Sequence, residues 1–257
     1  MNINNNGFYA HPLYYDILFG WNRAPEVIFY DSLFQKYGLN IGEHILEVAC
    51  GTGIVGMDLA RLGWDVTGLD ISGAMIEFLK SKLAQNKLKM TAVKADMVDF
   101  YLTKKCRGAI CPLGSFGLLN DDNLTIMHLK TMAKNMTKNG IYIIDVGLQE
   151  EVNDVSAKCD YTAIEWSMSR DNIEVDARDA KVFIDDNGVK KILEWEAVPT
   201  EFNCQHLSSL IKNSNVFEIL DWYPETSYTE EGISLFDMGE TQNPPIAERA
   251  MIVLRKL

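Results

Sequence analysis

Short apolar runs alternate with longer amphipathic stretches over the first 150 residues. Apolar positions recur at helical spacing over residues 24–37, 52–62 and 122–136, and Ser72 caps a further helix that includes Met75. The short apolar runs typical of buried strands are His44–Ala49, Asp65–Asp70, Lys89–Lys94, 107–111 and Ile141–Val146. This alternation predicts an α/β fold in which helices cover both faces of a parallel sheet.

Beyond residue 150 the pattern changes to alternating apolar and polar residues, which is typical of half-buried strands. The alternating segments are Thr162–Met168, Ile173–Ile184 and Val189–Val198, followed by a short helix over Gln205–Asn213 and strand-like segments at Phe217–Tyr223 and Arg249–Lys256. We predict an N-terminal arm and core over residues 1–149, an inserted antiparallel β cap of about three strands over 150–200, and completion of the core sheet by 201–257.

Composition and charge narrow the class of function. The net charge of −12 disfavours nucleic acid partners, because an acidic surface repels phosphate backbones. No stretch approaches the ~18 apolar residues of a membrane helix, and the Asn-rich start does not resemble a signal peptide, so we expect a cytoplasmic protein that does not use a membrane. Five cysteines without a C-x-x-C pair and four scattered histidines give no reason to expect a metal.

The segment from His44 to Gly53 carries the clearest chemical signal. A buried strand ends near Glu47, and a chain of small residues including Gly51 and Gly53 then turns into a helix. Glycines permit close approach of a ligand to the backbone, and the helix start offers free N–H groups. The segment therefore predicts a binding loop for a polar ligand.

Two acids follow the next two strands. Asp70 ends the second strand, where a carboxylate can hold a ribose diol by charge-assisted hydrogen bonds. Asp96 follows the third strand, where an acid and a backbone N–H can bind an adenine edge, with Met97 and Ile71 on either side of its ring. Together these positions indicate an adenosine-containing ligand.

The same loop also satisfies a dinucleotide fingerprint. Residues 51–56 are a literal G-x-G-x-x-G, with Asp70 a little under ~20 residues further on. Glu47 disfavours a dinucleotide, because it would repel a pyrophosphate but suits an ammonium group. Asp96 and the non-helical link between the two final strands also disfavour a dinucleotide. NAD-dependent oxidoreduction is the alternative function.

The sequence resembles the class I S-adenosylmethionine (SAM)-dependent methyltransferases. The residues that carry the resemblance are Ile45-Leu-Glu-Val-Ala-Cys-Gly-Thr-Gly53, Val66-Thr-Gly-Leu-Asp-Ile-Ser72 and Ala95-Asp-Met97. The resemblance implies a Rossmann-like seven-stranded sheet whose last strand is antiparallel. The aromatic and basic segment Tyr14–Arg23 and the β insertion are similar to the small-molecule branch that includes glycine N-methyltransferase and the amino-sugar N-methyltransferases.

The resemblance also assigns site residues. It places Glu47 at the SAM ammonium, Arg23 at the SAM carboxylate and Asp70 at the ribose. The remaining cofactor positions that it implies are Tyr15, Trp21, Ala49, Gly51, Gly53, Ile71, Met75, Asp96, Met97, Pro112 and Leu113. Many members have glycine at the position of Ala49, and a methyl group is tolerated there if φ is negative.

Methyl transfer from a sulfonium requires alignment more than a strong base. Candidate catalytic residues are Tyr15, His11 and Ser115. The expected reaction converts SAM to S-adenosylhomocysteine while methylating an N, O or S nucleophile of a small molecule. A non-catalytic SAM-binding module is the second alternative, and the sequence leaves open whether the chain forms a homo-oligomer.

Overall fold

The computed structural model describes residues 7–20, 22–149, 161–163, 167–170, 172–176, 179–196, 198–228, 234–236 and 247–257. The helices are α1 (Pro12–Phe19), α2 (Ala24–Lys36), α3 (Ile54–Arg61), α4 (Gly73–Asn86), α5 (Asp122–Asn135) and α6 (Cys204–Ser214). Short 3-10 turns occupy Phe8–Ala10 and Ser115–Leu118. In the described part of the chain, no helix is long and apolar enough to cross a membrane.

Fourteen strands accompany these helices in the described ranges. They are β1 (His44–Val48), β2 (Asp65–Asp70), β3 (Met90–Lys94), β4 (Cys106–Cys111), β5 (Met136–Gly147), β6 (Tyr161–Ala163), β7 (Ser167–Arg170), β8 (Ile173–Asp176), β9 (Lys181–Asp186), β10 (Val189–Glu194), β11 (Thr200–Phe202), β12 (Phe217–Tyr228), β13 (Ser234–Phe236) and β14 (Arg249–Lys256).

The central sheet has the strand order β13-β12-β14-β5-β4-β1-β2-β3. Strand β14 is antiparallel to both β5 and β12, whereas β1 to β5 pair in parallel. The predicted seven-stranded sheet with an antiparallel last strand is therefore confirmed. The three-residue β13 adds an eighth strand at the edge.

Helices cover both faces of this sheet, so its central strands carry buried apolar residues on both faces. Ile45 packs in one core cluster with side chains of α2 and α3, and Leu46 packs in the other with α5 and α6. Because successive strand residues point to opposite faces, both neighbours are buried. This arrangement leaves the carboxyl ends of β1 to β4 as the edge where a ligand can bind.

The inserted antiparallel β structure is confirmed, but its strands differ from the prediction. The predicted single strand Ile173–Ile184 is wrong: it is the hairpin β8–β9, in which Ile173 pairs with Ile184. The buried apolar positions change from odd numbers, ending at Val175, to even numbers, starting at Val182, and this shift marks the turn. The predicted boundary at residue 150 borders residues outside the described ranges and stays a prediction.

The described residues of the insertion form two small sheets in place of the expected single sheet of about three strands. One sheet has the order β10-β9-β8-β7, and β6 pairs with β11 in the other. The predicted strand Thr162–Met168 is therefore divided between the two sheets, with β6 in one and β7 in the other.

The N-terminal arm, residues 7–20, packs against the four-stranded sheet. Phe8 and Leu18 are fully buried in one cluster with Ile184 and Trp195. The aromatic residues of the arm thus form a shared core with the insertion, and on its other side α1 contacts the glycine-rich loop and α4.

Candidate functional site

The glycine-rich loop turns the chain from β1 into α3 through left-handed backbone. Gly51 has φ 52° and Gly53 has φ 76°, and a Cβ on Gly53 would lie 2.4 Å from Leu79 Cδ1. Both positions therefore favour glycine. Ala49 has φ 53°, so the negative φ under which a methyl group is tolerated is not found here. The backbone at Ala49 is strained, because a Cβ disfavours a positive φ.

Asp70 joins the loop to the start of α4. Its Oδ2 accepts a hydrogen bond from the N–H of Gly51 at 2.8 Å, and its Oδ1 accepts one from the N–H of Ser72 at 2.8 Å. Burial raises the pKa of Asp70, and these N–H groups oppose the rise. The carboxylate is thereby held at the carboxyl end of β2.

A pocket of about 850 Å³, including its open mouth, lies at the carboxyl ends of β1 to β4. The predicted residues on its wall are Tyr15, Ala49, Gly51, Asp70, Ile71, Asp96, Met97 and Ser115. Leu119 and Leu124 add an apolar wall, so the pocket combines two acids with apolar surfaces as an adenosine group requires.

A tight turn shapes the wall around Asp96. Its Oδ1 accepts a hydrogen bond from the N–H of Val98 at 3.0 Å, and its backbone carbonyl accepts one from the N–H of Asp99 at 3.0 Å. Both bonds fold the backbone around Asp96, and Met97 lies within this turn on the wall of the pocket.

A second pocket of about 780 Å³ adjoins the first and shares Tyr9, Tyr15 and Ser115 with it. The predicted residues Arg23 and Leu113 lie on its wall, with Trp195 from the insertion. Two adjoining pockets with common walls can hold a cofactor and an acceptor side by side.

Arg23 is more enclosed than the resemblance implies. Its guanidinium donates to Glu26 Oε2 at 3.1 Å and to the carbonyl of Phe19 at 3.3 Å. Glu26 also lies 3.4 Å from Arg249, which pairs with Asp145 through Nε at 2.7 Å. Arg23, Glu26, Arg249 and Asp145 thus form a network of ion pairs, and its two arginines line the second pocket.

Glu47 lies beneath the glycine-rich loop and on the wall of neither pocket. Its Oε2 is buried without a hydrogen-bond partner and would lie 2.2 Å from a Cβ on Gly56. Burial raises the pKa of Glu47 to about 8, although the N–H groups of Gly56 and Val55 lower it. The structure therefore separates Glu47 from the first pocket, which eight of the other predicted residues line.

Other predicted residues line neither of the two pockets. Gly53 precedes α3, Met75 is buried in α4, and Pro112 is buried next to Leu113. His11 lies beside Tyr14, with ring centroids 5.9 Å apart, and on the wall of neither pocket. Trp21 lies outside the described residues. The described part of the chain contains no cluster of residues able to hold a metal ion.

Several wall and support residues were missed by sequence reasoning. Tyr9 lines both pockets, and Trp195 and Arg249 line the second. Asp16 accepts hydrogen bonds from Thr52 at 2.6 Å and Lys82 at 2.7 Å. Only the aromatic composition of the arm pointed toward this region, because the other contacts join residues far apart in the sequence.

Part of the sequence is similar to known methyltransferases. Residues 45–140 match the family described as "Methyltransferase domain". The putative methyltransferase YqeM of Bacillus subtilis (strain 168) is 28% identical over 103 residues, covering 40% of this chain and 41% of that protein. The ribosomal RNA small subunit methyltransferase C of Alcanivorax borkumensis is 32% identical over 62 residues, covering 23% and 19%. These matches span about half or less of the relatives' length.

Solved structures share the fold over nearly the whole chain. A SAM-dependent methyltransferase from Clostridium acetobutylicum superimposes with a TM-score of 0.68 at 16% identity, covering 94% of this chain and 95% of that one. SAM-bound CalS10, an amino pentose methyltransferase from Micromonospora echinaspora, gives 0.63 at 14% identity and covers 100% of both chains. Residues 45–140 therefore match a methyltransferase domain, and the chain as a whole has the fold of these solved methyltransferases.

Proposed function

We propose that this protein transfers a methyl group from SAM to a small-molecule acceptor. The observation that carries the proposal is the pair of adjoining pockets. One has Gly51, Asp70 and Asp96 on its wall, and the other shares Tyr15 and Ser115 with it. A cofactor in the first would present its reactive end toward the second.

The first pocket offers a candidate partner for each part of SAM. Asp70 on its wall would accept hydrogen bonds from the ribose hydroxyls, and Asp96 with the backbone of Met97 would bind the adenine edge between Ile71 and the apolar wall. The methionine end would then extend toward Tyr15 and Arg23. When bound, SAM supplies a methyl group activated by its sulfonium, so the protein's task is alignment and exclusion of water.

The second pocket favours an acceptor that needs little base catalysis. Burial raises the pKa of Tyr9 and of Tyr15 far above neutrality, so both phenols stay protonated and donate hydrogen bonds. Ser115 is the other hydroxyl shared by the two pockets. A neutral amine fits this wall best, because it attacks as it stands and releases its proton after methylation.

The surroundings support a small acceptor. The insertion contributes Trp195 and Pro199 to the second pocket, so the acceptor would sit in a recess beneath it. The net charge of −12 disfavours RNA, and the similar solved structures include a sugar N-methyltransferase and an amino pentose methyltransferase.

Calorimetric titration with SAM and with NAD tests the cofactor, and turnover on a panel of small amines, alcohols and thiols tests the reaction. We expect SAM binding, no NAD binding, and methylation of small amines. NAD binding without SAM binding would indicate the oxidoreductase instead. SAM binding without turnover would favour the non-catalytic module, and turnover only on RNA or protein would refute the small acceptor.

A matched pair of variants on β2 sharpens the cofactor test. Asp70→Asn should weaken SAM binding by roughly 10-fold or more, because the carboxylate accepts charge-assisted hydrogen bonds. Asp65→Asn changes the opposite, exposed end of the same strand, where the carboxylate pairs with Lys104 at 2.5 Å, and should leave SAM binding unchanged.

A further inference from the structure

The segment between β3 and β4, residues 95–105, walls the cofactor pocket without forming a helix or strand. Four consecutive residues, Ala95 to Val98, line that pocket. A loop without regular hydrogen bonding needs other partners to hold one conformation. Here the partners come from one face of α5.

Three buried polar side chains of α5 bind the backbone of this segment. His128 Nδ1 lies 2.8 Å from the carbonyl oxygen of Met97, and Thr131 Oγ1 donates to the carbonyl of Val98 at 2.8 Å. Asn135 donates to the carbonyl of Phe100 at 3.0 Å and accepts from the N–H of Leu102 at 2.6 Å. The three side chains recur at helical spacing, so one face of α5 supports the whole segment.

The hydrogen bonds of His128 fix its tautomer. The Met97 carbonyl can only accept, so Nδ1 carries the proton and Nε2 accepts from the Tyr142 hydroxyl at 2.7 Å. Burial lowers the pKa of His128 to about 4, which keeps the ring neutral at physiological pH. Because Tyr142 belongs to β5, His128 connects the segment to the central sheet.

One planar peptide carries this support to Asp96. The carbonyl of Met97, held by His128, and the N–H of Val98, which donates to Asp96 Oδ1 at 3.0 Å, belong to the same peptide unit. The next peptide repeats the arrangement: Thr131 holds the carbonyl of Val98, and the N–H of Asp99 donates to the carbonyl of Asp96. Fixing the two carbonyls therefore fixes the orientation of Asp96.

We infer that His128 and Thr131 are positioning residues that set the Asp96 carboxylate for recognition of the adenine amino group, an inference that rests on the proposed SAM site. A correctly oriented carboxylate accepts a hydrogen bond from the 6-amino group of adenine. It repels the 6-oxo group of hypoxanthine. Selection of adenine over hypoxanthine thus depends on side chains that do not touch the base.

The test compares calorimetric affinities for S-adenosylhomocysteine and S-inosylhomocysteine. We expect the wild-type protein to prefer the adenosyl compound. His128→Leu removes both ring hydrogen bonds and should weaken binding of the adenosyl compound by about 10-fold, with little change for the inosyl compound. His128→Asn keeps a donor near the position of Nδ1. It should recover most of the wild-type affinity ratio, which is the affinity for the adenosyl compound divided by that for the inosyl compound.

Ser214→Ala is the matched control, because Ser214 is a buried hydroxyl in α6 whose partner is the carbonyl of Ile211 at 2.6 Å instead of the segment. It should lower stability and leave the affinity ratio unchanged. If His128→Leu does not fold, Thr131→Val carries the test, with an expected reduction of the ratio by about 3-fold.

An unchanged ratio in the folded α5 variants, or a wild-type protein that binds both compounds equally, would overturn the inference. Wild-type protein that binds neither compound would instead refute the proposed cofactor site. The two failures are therefore distinguishable.

Discussion

Glu47 shows how burial changes the chemistry of a single side chain. Its Oε2 is buried without a hydrogen-bond partner, and its pKa is raised to about 8. The protonated form is thus favoured in the folded state relative to the unfolded chain, where the pKa is near 4.5. Its contribution to stability is full below about pH 4.5 and is lost as the pH rises to about 8.

Glu47→Gln should therefore remove part of the pH dependence of unfolding. At pH 5 the ligand-free variant and wild type should have similar unfolding free energies, and at pH 9 the variant should be more stable by roughly 4 kcal/mol. Urea unfolding across this pH range measures the difference. A difference that does not change between pH 5 and 9 would contradict a raised pKa at this site.

Ala49 stores backbone strain next to the cofactor pocket. Its φ of 53° is costly for a residue with a Cβ. We expect Ala49→Gly to raise the unfolding free energy by roughly 1 kcal/mol, because glycine adopts this conformation without a steric penalty. Urea unfolding at pH 7 tests this, with Ala60→Gly in the last turn of α3 as a control that should lose roughly 0.5–1 kcal/mol. Equal losses in both variants would show that Ala49 is unstrained.

At the scale of elements, α1 is fastened to the loop and to α4 through one carboxylate. Asp16 accepts from the Thr52 hydroxyl and from Lys82, both within 2.7 Å. The preceding residue, Tyr15, packs over the loop, since a Cβ on Gly51 would lie 3.2 Å from its ring. The helix thus holds one wall of the cofactor pocket in place.

Asp16→Ala should release this wall and weaken binding of S-adenosylhomocysteine by about 3- to 10-fold, because two polar contacts are lost. Calorimetric titration measures the change. Glu77→Ala removes an exposed ion pair with Lys80 on α4 and serves as the control that should bind normally. Equal affinity in both variants would mean that α1 does not support the site.

At the scale of the whole molecule, the arm connects the inserted sheet with the cofactor site. Tyr9 accepts from Trp195 Nε1 at 2.8 Å on one side, and its carbonyl accepts from the Ser72 hydroxyl at 2.9 Å on the other. Gly7 also pairs with Glu194 at the end of β10. A ligand that orders the arm should consequently also order the edge of the insertion.

Hydrogen exchange with and without S-adenosylhomocysteine tests this connection. We expect slower exchange in residues 7–20 and also in β10, although β10 lines neither pocket. Trp195→Phe removes the indole N–H and should reduce the protection of β10 while leaving that of the arm. Protection confined to the arm in the wild-type protein would refute the connection.

The sequence by itself determined the central sheet and much of the cofactor pocket. Strand runs such as Ile141–Val146 are mostly apolar because both faces are covered, and glycines at positive φ leave a local signature. Asp70 and Asp96 follow their strands directly, so the parallel order of strands brings them to one edge. These features are local, and one sequence suffices to find them.

Only the tertiary structure decided what surrounds and supports that edge. It buried Glu47 beneath the loop, brought Glu26 to Arg249, and placed Tyr9 between the two pockets. It also joined His128 to Met97 across 31 positions of sequence. Such contacts depend on how separate elements pack and have no periodic pattern along the chain, so they follow from the fold alone.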